Sequence, residues 1–184
     1  MPSMASPGEA IGYVQRRLAG LDGTRWVGVD GFGASGKTTL AGRLASSVPG
    51  STVVHVDDFA RPDVAGWERD RFRRQVLEPL LAGRPGRYQR WDFDTNAGAE
   101  WLEVQPGGPV IVEGVSATDV RVGVPWDVTL WVQVPRLERR RRALARDGAA
   151  RWERWVTDWF PMEESYERDQ RPRERVDLVV VGDL

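Results

Sequence analysis

The chain contains no cysteine, a single lysine, a single histidine and no long apolar run. Each shortage removes a class of explanation. Without cysteine there are no disulfides and no thiolate metal sites. Without a stretch of about 18 apolar residues, no membrane span is expected. Residues 1–9 are polar and rich in Pro, Ser and Gly, without the basic start and apolar stretch of a secretion signal, so a cytoplasmic protein is the expectation. A formal net charge of −1 supplies no global basic field, and nucleic acid is not expected as a main partner. The lone histidine, His55, sits in an apolar run and reads as a buried strand residue. What is present is an ordinary globular balance, 41% hydrophobic and 29% charged over 184 residues, enough for one domain spanning 1–184 with a core of its own.

Of 26 basic residues, 25 are arginine, and the one lysine is Lys37. It stands in Gly31-Phe32-Gly33-Ala34-Ser35-Gly36-Lys37-Thr38, which satisfies the phosphate-binding pattern G-x-x-x-x-G-K-[ST] at every fixed position. A compact ammonium reaches between phosphate oxygens where a planar guanidinium would not fit. The flanks supply the required context. Trp26 to Asp30 reads as a buried strand, and the apolar residues from Thr38 to Val48 recur at helical spacing until Pro49-Gly50 stops them. Strand, glycine loop and helix aim backbone N–H groups at an anion on the positive end of the helix. The bland alternative is a glycine-rich turn ahead of an ordinary helix. A guanine-reading Asn-Lys-x-Asp motif is excluded outright, because the only lysine is already in the loop.

The remaining periodicities predict a helix over 9–21, strands at 25–30, 52–56, 109–114, 128–134 and 176–181, and a helix over 67–82 ended by Gly83. They also predict charged helices over 136–147 and 149–168. Residues 84–108 read as loop-rich and residues 1–8 as a short flexible N-terminus. Five apolar strands alternating with helices predict a parallel sheet covered on both faces, in an α/β phosphate-loop NTPase fold. In such sheets ligands lie beyond the carboxyl ends of the strands. Three polar groups fall at those ends: the glycine loop, the pair Asp57-Asp58, and Glu113.

These groups suit phosphoryl transfer, which needs charge neutralisation, in-line positioning and a destination for the acceptor's proton. Gly31, Gly33, Ala34, Ser35, Gly36, Thr38 and Thr39 would cradle the phosphates, with Lys37 on the β- and γ-groups and Thr38 on Mg²⁺. Glu113 closes an apolar strand and reads either as a second acid near the metal or as a strand-end cap. Asp57 is the favoured base, with Asp58 as the other candidate, and either could instead cap a helix. Within 136–150, Arg139, Arg142 and Arg146 fall on one helical face and could close over phosphates as a lid, or form a solvated face. Trp152, Trp155 and Trp159 repeat at helical spacing and read as packing surface.

With these pieces together, the chain resembles the uridine kinase and phosphoribulokinase-like group of phosphate-loop kinases. The resemblance rests on Gly31–Thr39, Val56-Asp57-Asp58-Phe59, Tyr88 to Asp92, Val110-Ile111-Val112-Glu113-Gly114 and Arg142 to Asp147. It implies ATP and Mg²⁺ as cofactors, with Thr38, Asp57 and Glu113 toward the metal. It implies Lys37, Asp57, Arg142 and Arg146 as catalytic residues and Arg139 as a lid residue on the nucleotide. Asp57, Asp58, Tyr88, Arg90 and Asp92 would be contacts for a small hydroxyl acceptor. Ala60 stands where uridine kinases commonly carry Tyr, and 84–108 does not reproduce a nucleoside site, so a sugar, pantothenate or sugar phosphate remains an alternative acceptor. A non-catalytic nucleotide binder is the remaining alternative, and a homodimer is left open.

Overall fold

A computed structural model describes residues 2–62, 64–92 and 95–182. In chain order its elements are β1 (Ser3–Ala5), α1 (Pro7–Leu18), β2 (Arg25–Gly31), α2 (Lys37–Ser47), β3 (Thr52–His55), α3 (Arg69–Phe72) and α4 (Glu78–Leu81). There follow β4 (Gly86–Asp92), β5 (Ala97–Val104), β6 (Pro109–Glu113), β7 (Val128–Val132), α5 (Arg136–Arg154), α6 (Phe160–Gln170), α7 (Pro172–Arg175) and β8 (Leu178–Val180). The main sheet has the order β1-β8-β7-β2-β6-β3, and every neighbouring pair is parallel. β4 and β5 form a separate antiparallel hairpin.

The sheet is apolar on both sides because helices cover both faces. Val27 and Val29 of β2 join Ile111 and Leu130 beneath α1 and α2, which present Ala10, Val14 and Leu18, and Leu40, Ala41 and Leu44. Trp26 points the other way and joins Val110, Val112, Phe59, Phe72 and Tyr88 in a second core. α1 begins with a capping box: Ser6 accepts the Glu9 N–H while the Glu9 carboxylate accepts the Ser6 N–H, and Pro7 fills the first helical position.

The sheet has six strands, not the five predicted. The extra one is β1, inside the segment expected to be flexible: Ser3–Ala5 pairs with β8, and the Val181 N–H donates to the Ala5 carbonyl. Of its three residues only Ala5 is buried, too short a signal for periodicity to register. Met1 lies outside the described residues. The stretch expected to be loop-rich holds the β4–β5 hairpin, whose second strand is mostly exposed and so carries no apolar alternation. Two helical tracts are continuous but wound wide in the middle, with π-helical turns at Arg73–Leu77 and Trp155–Trp159. The two charged helices expected over 136–168 meet at a kink at Gly148, where φ is +71°.

Candidate active site

The glycine loop joins β2 to α2 through residues with positive φ: Gly31 at +148°, Ala34 at +58° and Gly36 at +96°. A side chain at Gly31 would meet the Val132 carbonyl at 2.7 Å, so this backbone turn requires glycine twice over, by conformation and by space. Lys37 is the first residue of α2, and the loop N–H groups therefore lie at a helix N-terminus. The Ser35 hydroxyl is buried in this loop with no protein partner. An orphaned donor among converging N–H groups is what a phosphate-binding cradle provides.

The loop is anchored from below by Asp30, which is fully buried. Its Oδ1 accepts from the N–H of Gly31 (2.7 Å) and of Ser116 (3.0 Å). Its Oδ2 accepts from the Thr118 N–H (3.0 Å), the Thr118 hydroxyl (2.7 Å) and the Tyr166 hydroxyl (2.7 Å). One carboxylate thus ties the glycine loop, the segment after β6 and α6 together. Burial, then the Asp30 charge, pushes the Tyr166 hydroxyl well above the ordinary tyrosine range, so it acts as a donor.

At the mouth of the site, Lys37 is buried and its Nζ donates to the Phe32 carbonyl at 2.8 Å. Burial lowers its pKa, while the charges of Glu113, Asp57, Glu163 and Asp30 oppose that fall. The Thr38 hydroxyl donates to Glu113 Oε1 at 3.1 Å, and His55 Nδ1 lies 2.5 Å from the same oxygen. The parallel register of β3 and β6 sets His55 directly beside Glu113. His55 is therefore not the buried strand residue expected: its side chain is 41% exposed, and the Glu113 carboxylate raises its pKa.

Asp57 lies in the 3₁₀ turn Val56–Phe59 that follows β3. Its side chain is exposed at the surface of the cleft, where desolvation raises its carboxyl and the Lys37 charge opposes that rise. Asp58 turns inward. Its carbonyl accepts from Arg71 at 2.8 Å and its carboxylate from the Tyr88 hydroxyl at 3.2 Å. Tyr88 itself is buried against Phe59, with ring centroids 4.7 Å apart. Arg90 pairs with Glu100 across the hairpin, and Asp92 is half-buried at the end of β4, accepting the Thr95 N–H at 3.2 Å.

Arg139, Arg142 and Arg146 all fall in α5 ahead of the Gly148 kink, and each is taken by a different acid. Arg139 is buried, lies over the Phe32 ring at 4.5 Å and donates to Glu163 at 3.0 Å. Arg142 donates to Glu138 at 2.7 Å. Arg146 pairs with Asp147 at 2.8 Å, and its charge reaches Asp57. Thr39 is exposed beside Thr38, while Ala34 packs near Trp155 and Phe160. The tryptophan repeat is packing as predicted, with Trp155 buried between Trp159 and Phe160.

The contacts of three residues at the site escaped sequence reasoning. Asp30 carries the same signal as Glu113, a carboxylate at the end of an apolar strand, and was legible. Glu163 sits among charged residues on α6 and carries no distinguishing signal. His55 was visible but its partner was not. Among the described residues, no group of three or more histidines and acids is gathered as a metal cage, and no helix is long and apolar enough to cross a membrane.

No protein-family model matches the chain, and no curated protein is similar to it in sequence. Solved structures are similar in fold. One is a possible uridine kinase from Bacillus stearothermophilus, 17% identical, covering 95% of this chain and 98% of its own, with a TM-score of 0.69. Another is a candidate fructose transport system kinase from Silicibacter sp. TM1040, 20% identical, covering 95% of this chain and 98% of its own, with a TM-score of 0.66. With the glycine loop, the parallel sheet and this end-to-end likeness together, the fold of the chain is that of the phosphate-loop kinases.

Proposed function

We propose that the protein is an ATP-dependent kinase that transfers the γ-phosphate to a hydroxyl of a small metabolite, with a nucleoside as the first acceptor to test. The observation that carries this reading is the convergence of Lys37, Thr38, Asp57 and Glu113 at the carboxyl edge of β2, β3 and β6. Thr38 touches Glu113, and Lys37 lies in the field of both acids. A nucleotide-binding loop alone would need no base, yet Asp57 stands beside it with a raised carboxyl.

The residues fit ATP and Mg²⁺. The orphaned Ser35 hydroxyl, the loop N–H groups and Lys37 would take phosphate oxygens, and Thr38 with the nearby Glu113 and Asp57 offers the hard oxygen donors that Mg²⁺ prefers. Bound Mg²⁺ would neutralise phosphate charge during transfer. Asp57 would accept the acceptor's proton as its oxygen bonds to the γ-phosphorus and the bond to the ADP oxygen breaks. Glu113 would fix the Thr38 hydroxyl, and His55 would fix Glu113. Arg146, already within the field of Asp57, would approach the transferring group.

A non-nucleoside acceptor is the second reading. It is favoured by Ala60 in place of tyrosine and by the name of one structural neighbour, a candidate fructose transport system kinase. An ADP-release assay with nucleosides, pantothenate, pentoses, hexoses and their phosphates, blanked with Lys37→Ala, separates the two. Stimulation by uridine or cytidine supports the nucleoside site, and stimulation by another class replaces it. No stimulation by any acceptor, with ATP still bound, would leave a non-catalytic binder. Asp57→Asn should retain ATP affinity while losing transfer by about 10²-fold or more. Unchanged turnover would move the base elsewhere, first to Asp58.

A further inference from the structure

The glycine loop is already in contact with an anion supplied by the chain itself. Glu163, in the first turn of α6, is 3% exposed. Its Oε1 accepts the Gly33 N–H at 2.5 Å, and its Oε2 accepts from Arg139 at 3.0 Å. Gly33 belongs to the loop that the proposed function assigns to phosphate, and Arg139 also reaches it, donating to the Gly33 carbonyl at 3.4 Å. A Cβ on Gly33 would overlap the Trp155 ring and come within 2.8 Å of Glu163 Oε1, so this glycine leaves just the room that the two side chains occupy. Both bonds to the carboxylate are of the charge-assisted or anion-to-amide kind that a phosphate oxygen would make.

A buried ion pair of this sort is seldom retained for stability alone, since the desolvation of both charges offsets much of their attraction. Glu163 also has somewhere to go. A cavity of about 280 Å³, lined among others by Phe32, Gln133, Arg136, Arg173 and Glu164, borders the Arg139–Glu163 pair.

We propose that Glu163 is an internal competitor for nucleotide phosphate: binding exchanges its carboxylate for a phosphate on Gly33 and Arg139, and thereby releases the start of α6. The proposal rests on the nucleotide-binding reading above and adds a control to it. Arg139 changes partner, and the strength of the Glu163 contact sets how much affinity is forfeited before a phosphate can enter. The apparent affinity of the site is lowered by the fraction of molecules in which the carboxylate is seated. The same exchange links the loop to α6, which also carries Tyr166 on Asp30.

The test is calorimetric titration of the wild type, Glu163→Gln, Glu163→Ala and Lys37→Ala with ADP and with inorganic tripolyphosphate. It is paired with hydrogen exchange over residues 160–170. Both Glu163 variants should bind each probe at least about tenfold more tightly than wild type. ADP should raise exchange in the first turn of wild-type α6, and Glu163→Gln should show raised exchange before any addition. Affinity unchanged or weaker in the Glu163 variants, with wild type binding normally, overturns the competitor and leaves the nucleotide site standing. Binding by none of the proteins overturns both. If the variants do not fold, the wild-type exchange decides: no change in α6 on saturation with ADP overturns the exchange mechanism.

Discussion

Asp30 beneath the glycine loop and Glu138 on α5 are both carboxylates ringed by donors, yet they do different work. Asp30 is fully buried and takes five hydrogen bonds from three separate parts of the chain. Glu138 is half-exposed and takes its bonds from Arg141 and Arg142, its neighbours one helical turn away, which hold its carboxyl down at about 2. The first geometry cannot relax without uncovering a charge in the core. The second is screened by salt and can be exchanged for water or for another anion. The base of the glycine loop is therefore fixed, while Arg142 and Arg146 of α5 are held by partners they can leave. On the kinase reading proposed above, phosphoryl transfer would need a rigid cradle and an adjustable clamp, and these would be divided between the glycine loop and α5.

Four variants would break or sharpen that contrast, in falling order of effect. Lys37→Ala should lower turnover by about 10³-fold or more, because it removes the one compact charge in the cradle. Steady-state rates within tenfold of wild type would sink the assignment of the loop. Asp30→Asn turns an acceptor into a donor facing donors; it should cost about 3 kcal/mol in chemical denaturation and weaken ADP binding with it. A variant of wild-type stability would mean the loop is not hung from this carboxylate. Replacing Arg142 and Arg146 together by Ala should lower kcat by roughly tenfold with a smaller effect on stability. A change confined to the acceptor KM would deny them a role on the transferring phosphate. Glu138→Gln should leave thermal unfolding where it is and make kcat less sensitive to salt, since Arg142 is no longer held back. A clear fall in melting temperature would make α5 as rigid as the loop and erase the difference.

How much of this was legible in the sequence follows from the range of the interactions. The glycine loop, its strand and its helix are encoded within about twenty consecutive residues, so local pattern finds them. Asp57 and Glu113 were found because they sit at the ends of apolar runs. Spacing put Arg139, Arg142 and Arg146 on one face, but each is claimed by a different acid, and helical periodicity says nothing of which partner wins. The Glu163 contact to Gly33 spans 130 residues of chain, and the Tyr166 contact to Asp30 spans 136, so neither leaves a local trace. The hairpin was missed for a different reason: with β5 largely exposed, its strands are selected by cross-strand pairing and not by burial.

The pairing of β1 with β8 has a kinetic consequence. Ser3 meets Leu178, so among the described strands β1 finds its neighbour in the one farthest from it along the chain. The pairings among β2, β3, β6 and β7 do not involve residues 3–5. The closing of that edge is the longest-range step in the topology, and long-range pairing is the slow part of assembling a sheet. By that argument the edge at β1 is expected to be the last part of the sheet to gain protection.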